Sequence, residues 1–139
     1  MHSKKRNPSE LSTITPAFRW AQSLSHIFIE VKFAHRFDSP GSIEILQPDV
    51  EFEEKSLTLK AQTDKAKGVD NKFELNLDFL HEIDTEESTW ELNSVGRVFL
   101  KLAKKEQPSR WRRLLTDKAH RQLKNQMSLW IEMYDKYHE

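Results

Sequence analysis

Apolar and polar residues alternate with a period of two over most of this chain, the pattern of strands that bury one face and solvate the other. Phe18 and Trp20 share one side of residues 16–22, with Pro16 at the edge, where its missing N–H removes no ladder bond. Residues 26–33 are apolar at the odd positions Ile27, Ile29, Val31 and Phe33. A turn-rich link through Asp38-Ser39-Pro40-Gly41-Ser42 leads to short runs at 43–46 and 49–53. Leu57, Leu59 and Ala61 then oppose Thr58, Lys60 and Gln62; after a loop over 65–71, Phe73, Leu75, Leu77 and Phe79 oppose Glu74, Asn76 and Asp78. Residues 89–93 predict a short strand, turned by Asn93-Ser94-Val95-Gly96 into a final one where Val98, Leu100 and Leu102 face away from Phe99, Lys101 and Ala103.

The period changes after Leu115. Thr116-Asp117 can cap a helix, and Leu123, Met127, Trp130, Tyr134 and Tyr137 follow at spacings of four, three, four and three without Gly or Pro. This predicts an amphipathic helix whose aromatic stripe docks on its own domain, because an isolated helix of this length is marginal without packing. Many short one-sided strands with no helix between them predict an all-β fold, an antiparallel β-sandwich of about seven strands with a C-terminal amphipathic helix. A parallel α/β architecture is excluded. The expected boundaries are a polar, disordered leader over 1–14, the sandwich over 15–115 and a helical tail over 116–139.

Composition narrows the function classes. The chain has 139 residues, the size of one domain, and 22 bases against 22 acids, so it is not a polycation built to coat nucleic acid. Charge is nevertheless segregated: residues 44–91 hold fourteen acids and five bases, residues 97–124 ten bases and two acids. If the fold separates these segments, the molecule is dipolar and steers onto charged partners; if it mixes them, the field cancels. No cysteine is present, which removes disulfides, thiolate nucleophiles and thiolate metal sites. No apolar run approaches the length of a bilayer crossing and the first residues lack the apolar stretch of a signal peptide, so the expectation is a cytoplasmic protein without membrane insertion.

The residues that could carry chemistry are scattered. His2, His26, His35, His81, His120 and His138 show no pair at metal-ligand spacing, and His81-Glu82 is not followed by a second histidine. Gly41, Gly68 and Gly96 stand singly in turns, which makes no phosphate-cradling loop. Glu82, Asp84, Glu86 and Glu87 lack the glycine and spacing of a calcium loop and read as a solvated acidic connection. No serine sits in a nucleophile elbow. The expectation is therefore no enzyme: no catalytic residue, no metal and no cofactor.

Around the last strand the chain places Trp111 among Arg110, Arg112 and Arg113, just beyond Lys104 and Lys105. One reading is a docking surface, since an indole hemmed by guanidinium groups is costly to bury; the other is a tryptophan that caps its own core with solvated arginines around it. The same cations with an aromatic allow a third, a basic patch that stacks and neutralises RNA, together with Lys118, Arg121 and Lys124.

Residues 15–22 (Thr-Pro-Ala-Phe-Arg-Trp-Ala-Gln), the Ala66-Lys67-Gly68 loop before residues 73–80, and the strand that ends in Trp111-Arg112-Arg113-Leu114 together resemble a CS domain, the β-sandwich of the small heat-shock protein 90 co-chaperones. The resemblance covers about Thr15 to Leu115 and extends weakly to Met127 and Trp130. The 66–68 loop and residues 77–80 are most similar to the cytosolic CS domain that precedes the membrane-bound very-long-chain 3-hydroxyacyl-CoA dehydratases, whose chemistry lies in transmembrane helices that have no counterpart here. The resemblance implies a protein-interaction module, a co-chaperone or client adaptor that binds the ATP-closed form of heat-shock protein 90. Its implied contact residues are Phe99, Lys101, Trp111, Arg112 and Arg113. A regulatory domain related to the dehydratases is the alternative. Two departures stand out: Arg112 replaces the proline that commonly follows the tryptophan, and a helical stripe replaces the acidic disordered tail.

Overall fold

The computed structural model describes residues 13–34, 45–63, 71–93 and 96–133. The expected loops at 38–42 and 66–68, the residues 1–12 of the expected leader, and Tyr134 and Tyr137 lie outside them. Among the described residues, nine strands form two sheets: β1 Thr13–Ile14, β2 Ala17–Gln22, β3 His26–Lys32, β4 Asp49–Glu53, β5 Ser56–Gln62, β6 Lys72–Asp78, β7 Ile83–Asn93, β8 Arg97–Lys104 and β9 Met127–Leu129. One sheet runs in the order β1-β6-β5-β4, the other β7-β8-β3-β2-β9. All the longer strands pair antiparallel, and only the short β1 and β9 pair parallel, on β6 and β2.

Alternation does the work of folding. The two sheets face each other through Phe18, Ile27, Ile29, Val31, Val98, Leu100 and Leu102 on one side and Leu57, Leu59, Phe73, Leu75 and Leu77 on the other, all buried in one cluster. The even positions of β6 and the acids of β4 stay in solvent or half-buried. At roughly 25 cal/mol per Å² of apolar surface withdrawn from water, this two-sided burial is the main favourable term of the fold. Gly96 enters β8 at φ 68°, a left-handed conformation that costs a residue with a Cβ and is free for glycine. β4 and β7 close one side of the sandwich, and residues 109–116 close the other.

Three expectations need correction. Thr13 and Ile14, expected in the leader, instead add a short strand to β6. The supposed acidic connection at 82–87 is mostly strand: β7 starts at Ile83 and carries an irregularity between Asp84 and Thr89. There Asp84 Oδ1 accepts the Glu86 and Glu87 N–H groups, while Ser88 donates to the Asp84 carbonyl and accepts the Ala103 N–H. This is a bulge, and it accommodates charges that a regular half-buried strand would exclude. Third, the tail helix is short. Thr116 caps α1, Asp117–Leu123, by accepting the Ala119 N–H, but Lys124–Gln126 turn and Met127–Leu129 form β9. Met127 and Trp130 therefore do not share a helical stripe.

Candidate docking surface

The outer face of the five-stranded sheet follows from the register. Arg19, Glu30, Phe99 and Glu91 occupy one row across β2, β3, β8 and β7, and Ala21, Phe28, Lys101 and Thr89 the next. Phe28 and Phe99 stack at 6.4 Å, and the Glu30 carboxylate sits between Arg19 at 2.7 Å and Arg97 at 3.4 Å. Phe99 and Lys101 are thus neighbours on one face, Phe99 half-buried and Lys101 exposed. Phe99 is partly covered by the chain itself: Trp130 meets it edge-on at 6.0 Å.

Arg112 and Arg113 lie elsewhere. They belong to the segment that crosses from β2 to β6, where Gln22 clasps Trp111 and the Leu114 carbonyl accepts the Leu80 N–H. Arg112 is exposed; Arg113 pairs with Asp117 one helical turn on.

Trp111 overturns the exposed-indole reading. It is 3% exposed and belongs to the core, packed against Phe79 at 6.1 Å and His81 at 5.3 Å. The reading in which it caps its own core holds. Its burial is arranged by a remote residue: the Gln22 side chain accepts the Trp111 N–H at 2.9 Å and donates to the Trp111 carbonyl at 2.8 Å. Both backbone groups of Trp111 are satisfied, so its peptide enters the interior without an orphaned N–H or carbonyl, while Arg110 and Arg112 beside it stay exposed.

The missed partner of this clasp is Lys104. Its side chain is buried, and its Nζ donates to Gln22 Oε1 at 2.8 Å, to the Ser23 carbonyl at 2.7 Å and to the Ser109 carbonyl at 2.6 Å. Burial, with Arg110 nearby, pulls the ammonium down to about 8. A lysine at the end of an amphipathic strand reads as a solvated cation in sequence. The positions of Gln22, Ser23 and Ser109 around it in the fold make it a tie.

Cations line the rim of this end. Lys101 is exposed on the outer face, Arg110 and Arg112 are exposed on the segment that carries Trp111, and Lys104 is buried. Lys105 is neutralised by Glu54 at 3.0 Å and Glu82 at 3.5 Å, so the cleft of about 420 Å³ between Lys55, His81, Lys105, Arg110 and Trp111 is charge-balanced rather than an anion site. Burial lowers the pKa of His26 from its ordinary 6.5, and Lys101 and Lys104 lower it further. Since the unfolded chain then takes up a proton at higher pH than the folded one, His26 contributes stability that is present above pH 6.5 and lost as pH falls below it. In urea unfolding at pH 7.5 and pH 5, the loss of stability on acidification is expected to be smaller for His26→Gln than for the wild type.

The two sheets make an antiparallel sandwich with exposed Lys101 and Arg110 toward one end. The family model for the CS domain matches residues 16–104, and the chain belongs to the CS domain family. Among solved structures it is similar to heat shock protein 16.0 from Schizosaccharomyces pombe, with 12% identity and a TM-score of 0.55 over 75% of this chain and 99% of that one. It is also similar to the CS domain of the human KIAA1068 protein, with 15% identity and a TM-score of 0.50 over 83% and 88% of the two chains. These likenesses are of fold. No curated protein sequence matches the chain significantly. Among the described residues, no helix is long and apolar enough to cross a membrane.

Proposed function

We propose that this chain is a co-chaperone or client adaptor that docks on the ATP-closed form of heat-shock protein 90 through its cationic rim. The CS family supplies the coarse function, protein interaction. The finer reading is carried by one observation: exposed Lys101, Arg110 and Arg112 flank an end of the sandwich whose backbone is tied down by Gln22 and Lys104. A rim held in this way loses little conformational freedom on binding. Phe99 offers an apolar contact beside Lys101, and Arg113, drawn to Asp117, adds a weaker one. Trp111 acts from beneath, as the support of the segment rather than its contact.

Such a ligand works by selection. Binding the closed chaperone better than the open one shifts the population toward closure, by no more than the difference in affinity. No nucleotide need touch this chain.

The test is capture of the full chain on immobilised heat-shock protein 90 with and without a non-hydrolysable ATP analogue. Capture is expected only with the analogue, and the Lys101→Glu, Arg112→Glu double variant, altered at two exposed positions, is expected to lose about tenfold or more. Equal capture with and without nucleotide would overturn the reading. A salt titration against RNA separates the basic-patch alternative, whose affinity would fall steeply with ionic strength and ignore the nucleotide.

A further inference from the structure

The sheet edge at β2 is occupied by a short segment late in the chain. Residues 126–132 hold on by the Phe18 N–H donated to the Gln126 carbonyl, the Trp130 N–H donated to the Trp20 carbonyl, and the three-residue parallel strand between them. Of this strand, Met127 packs against the core, whereas Leu129 is 48% exposed, as is Ile131 beyond it at 62%. The chain upstream is anchored separately, by buried Leu114, Leu115 and Ala119. Lifting residues 126–132 would give up the Met127 contact and the β2 pairing but none of these anchors.

On the outer face this segment sets down one aromatic and one acid. Trp130 lies 4.4 Å from the Arg19 guanidinium, and Glu132, two residues on, reaches the same arginine at 3.6 Å from an otherwise solvated position. The indole also meets Phe99 edge-on. Arg19 is held in place by Glu30, so the platform of Arg19, Phe99 and Phe28 is organised by the sheet and not by what sits on it.

We propose that this face is a docking groove for a partner segment that runs as a strand up to an aromatic residue and then turns helically to present an acid two places on, as residues 127–132 do, and that residues 126–132 are its resident competitor. The partner strand would replace β9 along β2, its aromatic would take the place of Trp130 over Arg19 and Phe99, and its acid that of Glu132. Strand addition at an exposed edge supplies affinity through main-chain bonds and specificity through alternate side chains, which is the division seen here in the chain's own segment. The inference rests on the reading of the chain as an interaction module, and not on which chaperone it serves.

The test uses the full chain and no chaperone, so its failure is distinct from failure of nucleotide-dependent capture. A fluorescent peptide of residues 125–133 is titrated against the wild type and Trp130→Ala. A tether of this kind gives the resident segment an effective concentration on the order of mM, so the peptide is expected to bind Trp130→Ala at least about tenfold more tightly than the wild type. The same peptide carrying Trp130→Ala or Glu132→Lys is expected to lose that binding. Equal affinity for both proteins, or no binding to Trp130→Ala, overturns the proposal. So does loss of fold in that variant, since a displaceable segment cannot hold the sandwich together. A dimer formed by exchange of this segment overturns it in favour of a second copy. In the wild type, the Phe18 and Trp130 amides are expected to exchange hydrogen much faster than the β3–β8 ladder; equal protection also overturns it.

Discussion

Trp111→Ala is expected to destabilise the protein by about 3–5 kcal/mol, the range for emptying a buried aromatic site. The indole fills the end of the core among Phe79, His81 and the buried Leu114 and Leu115, so its removal leaves a cavity that a two-layer sandwich cannot close by moving one side chain. The melting temperature should fall by roughly 10–20 °C for a domain of this size, and the urea midpoint should fall with little change in slope. Arg112→Ala, one residue away and exposed, should shift stability by no more than about 0.5 kcal/mol. Equal effects at the two positions would contradict the burial of Trp111.

The contrast has a practical consequence for any binding study. A binding defect in Trp111→Ala reports lost structure first, because the segment carrying Arg110 and Arg112 is hung on that indole and on the Gln22 clasp around it. Exposed Lys101 and Arg112 are the positions where a charge change reads on recognition alone.

The core was legible because its signal is local. In β3, β5, β6 and β8 most of the side chains that alternation assigns to the interior are buried, Ile27, Ile29, Val31, Leu57, Leu59, Leu75, Leu77, Val98, Leu100 and Leu102 among them, while Trp20 of β2 and Ala61 are only partly so. Where the sequence misled, a distant residue decided. Three arginines around Trp111 suggest a wet surface, but the polar groups that permit its burial belong to Gln22, 89 positions earlier. Glu82 to Glu87 look too charged for a strand, and the bulge at Asp84 and Ser88 is what lets β7 start there. The tail shows a limit of periodicity itself. Met127 and Trp130, three residues apart, share a face on a helix and take opposite faces on extended chain. Here Met127 turns to the core and Trp130 to the outer side, because the free edge of β2 offers backbone partners that a lone helix lacks.

Lys104→Met is expected to cost about 2–4 kcal/mol although it removes a charge from the interior and keeps most of the volume. Replacing a buried ion by an apolar group is neutral only when its partners go with it, and here they are fixed by the backbone. The Ser23 and Ser109 carbonyls would lose their ammonium donor while staying where β2 and the loop after β8 put them. Gln22 Oε1 would keep the Trp111 N–H and so suffer less. A second readout separates this from a simple packing defect. With the folded ammonium at about 8 and the unfolded one at 10.5, the unfolded chain binds the extra proton between those values, so the wild type gains stability as pH rises through that window. Lys104→Met has nothing to titrate there, and its deficit relative to the wild type should widen from pH 8 to pH 10.5 in parallel urea titrations. A constant difference across the window would mean that Lys104 Nζ is not held in the buried surroundings that lower its pKa at this end of the sandwich.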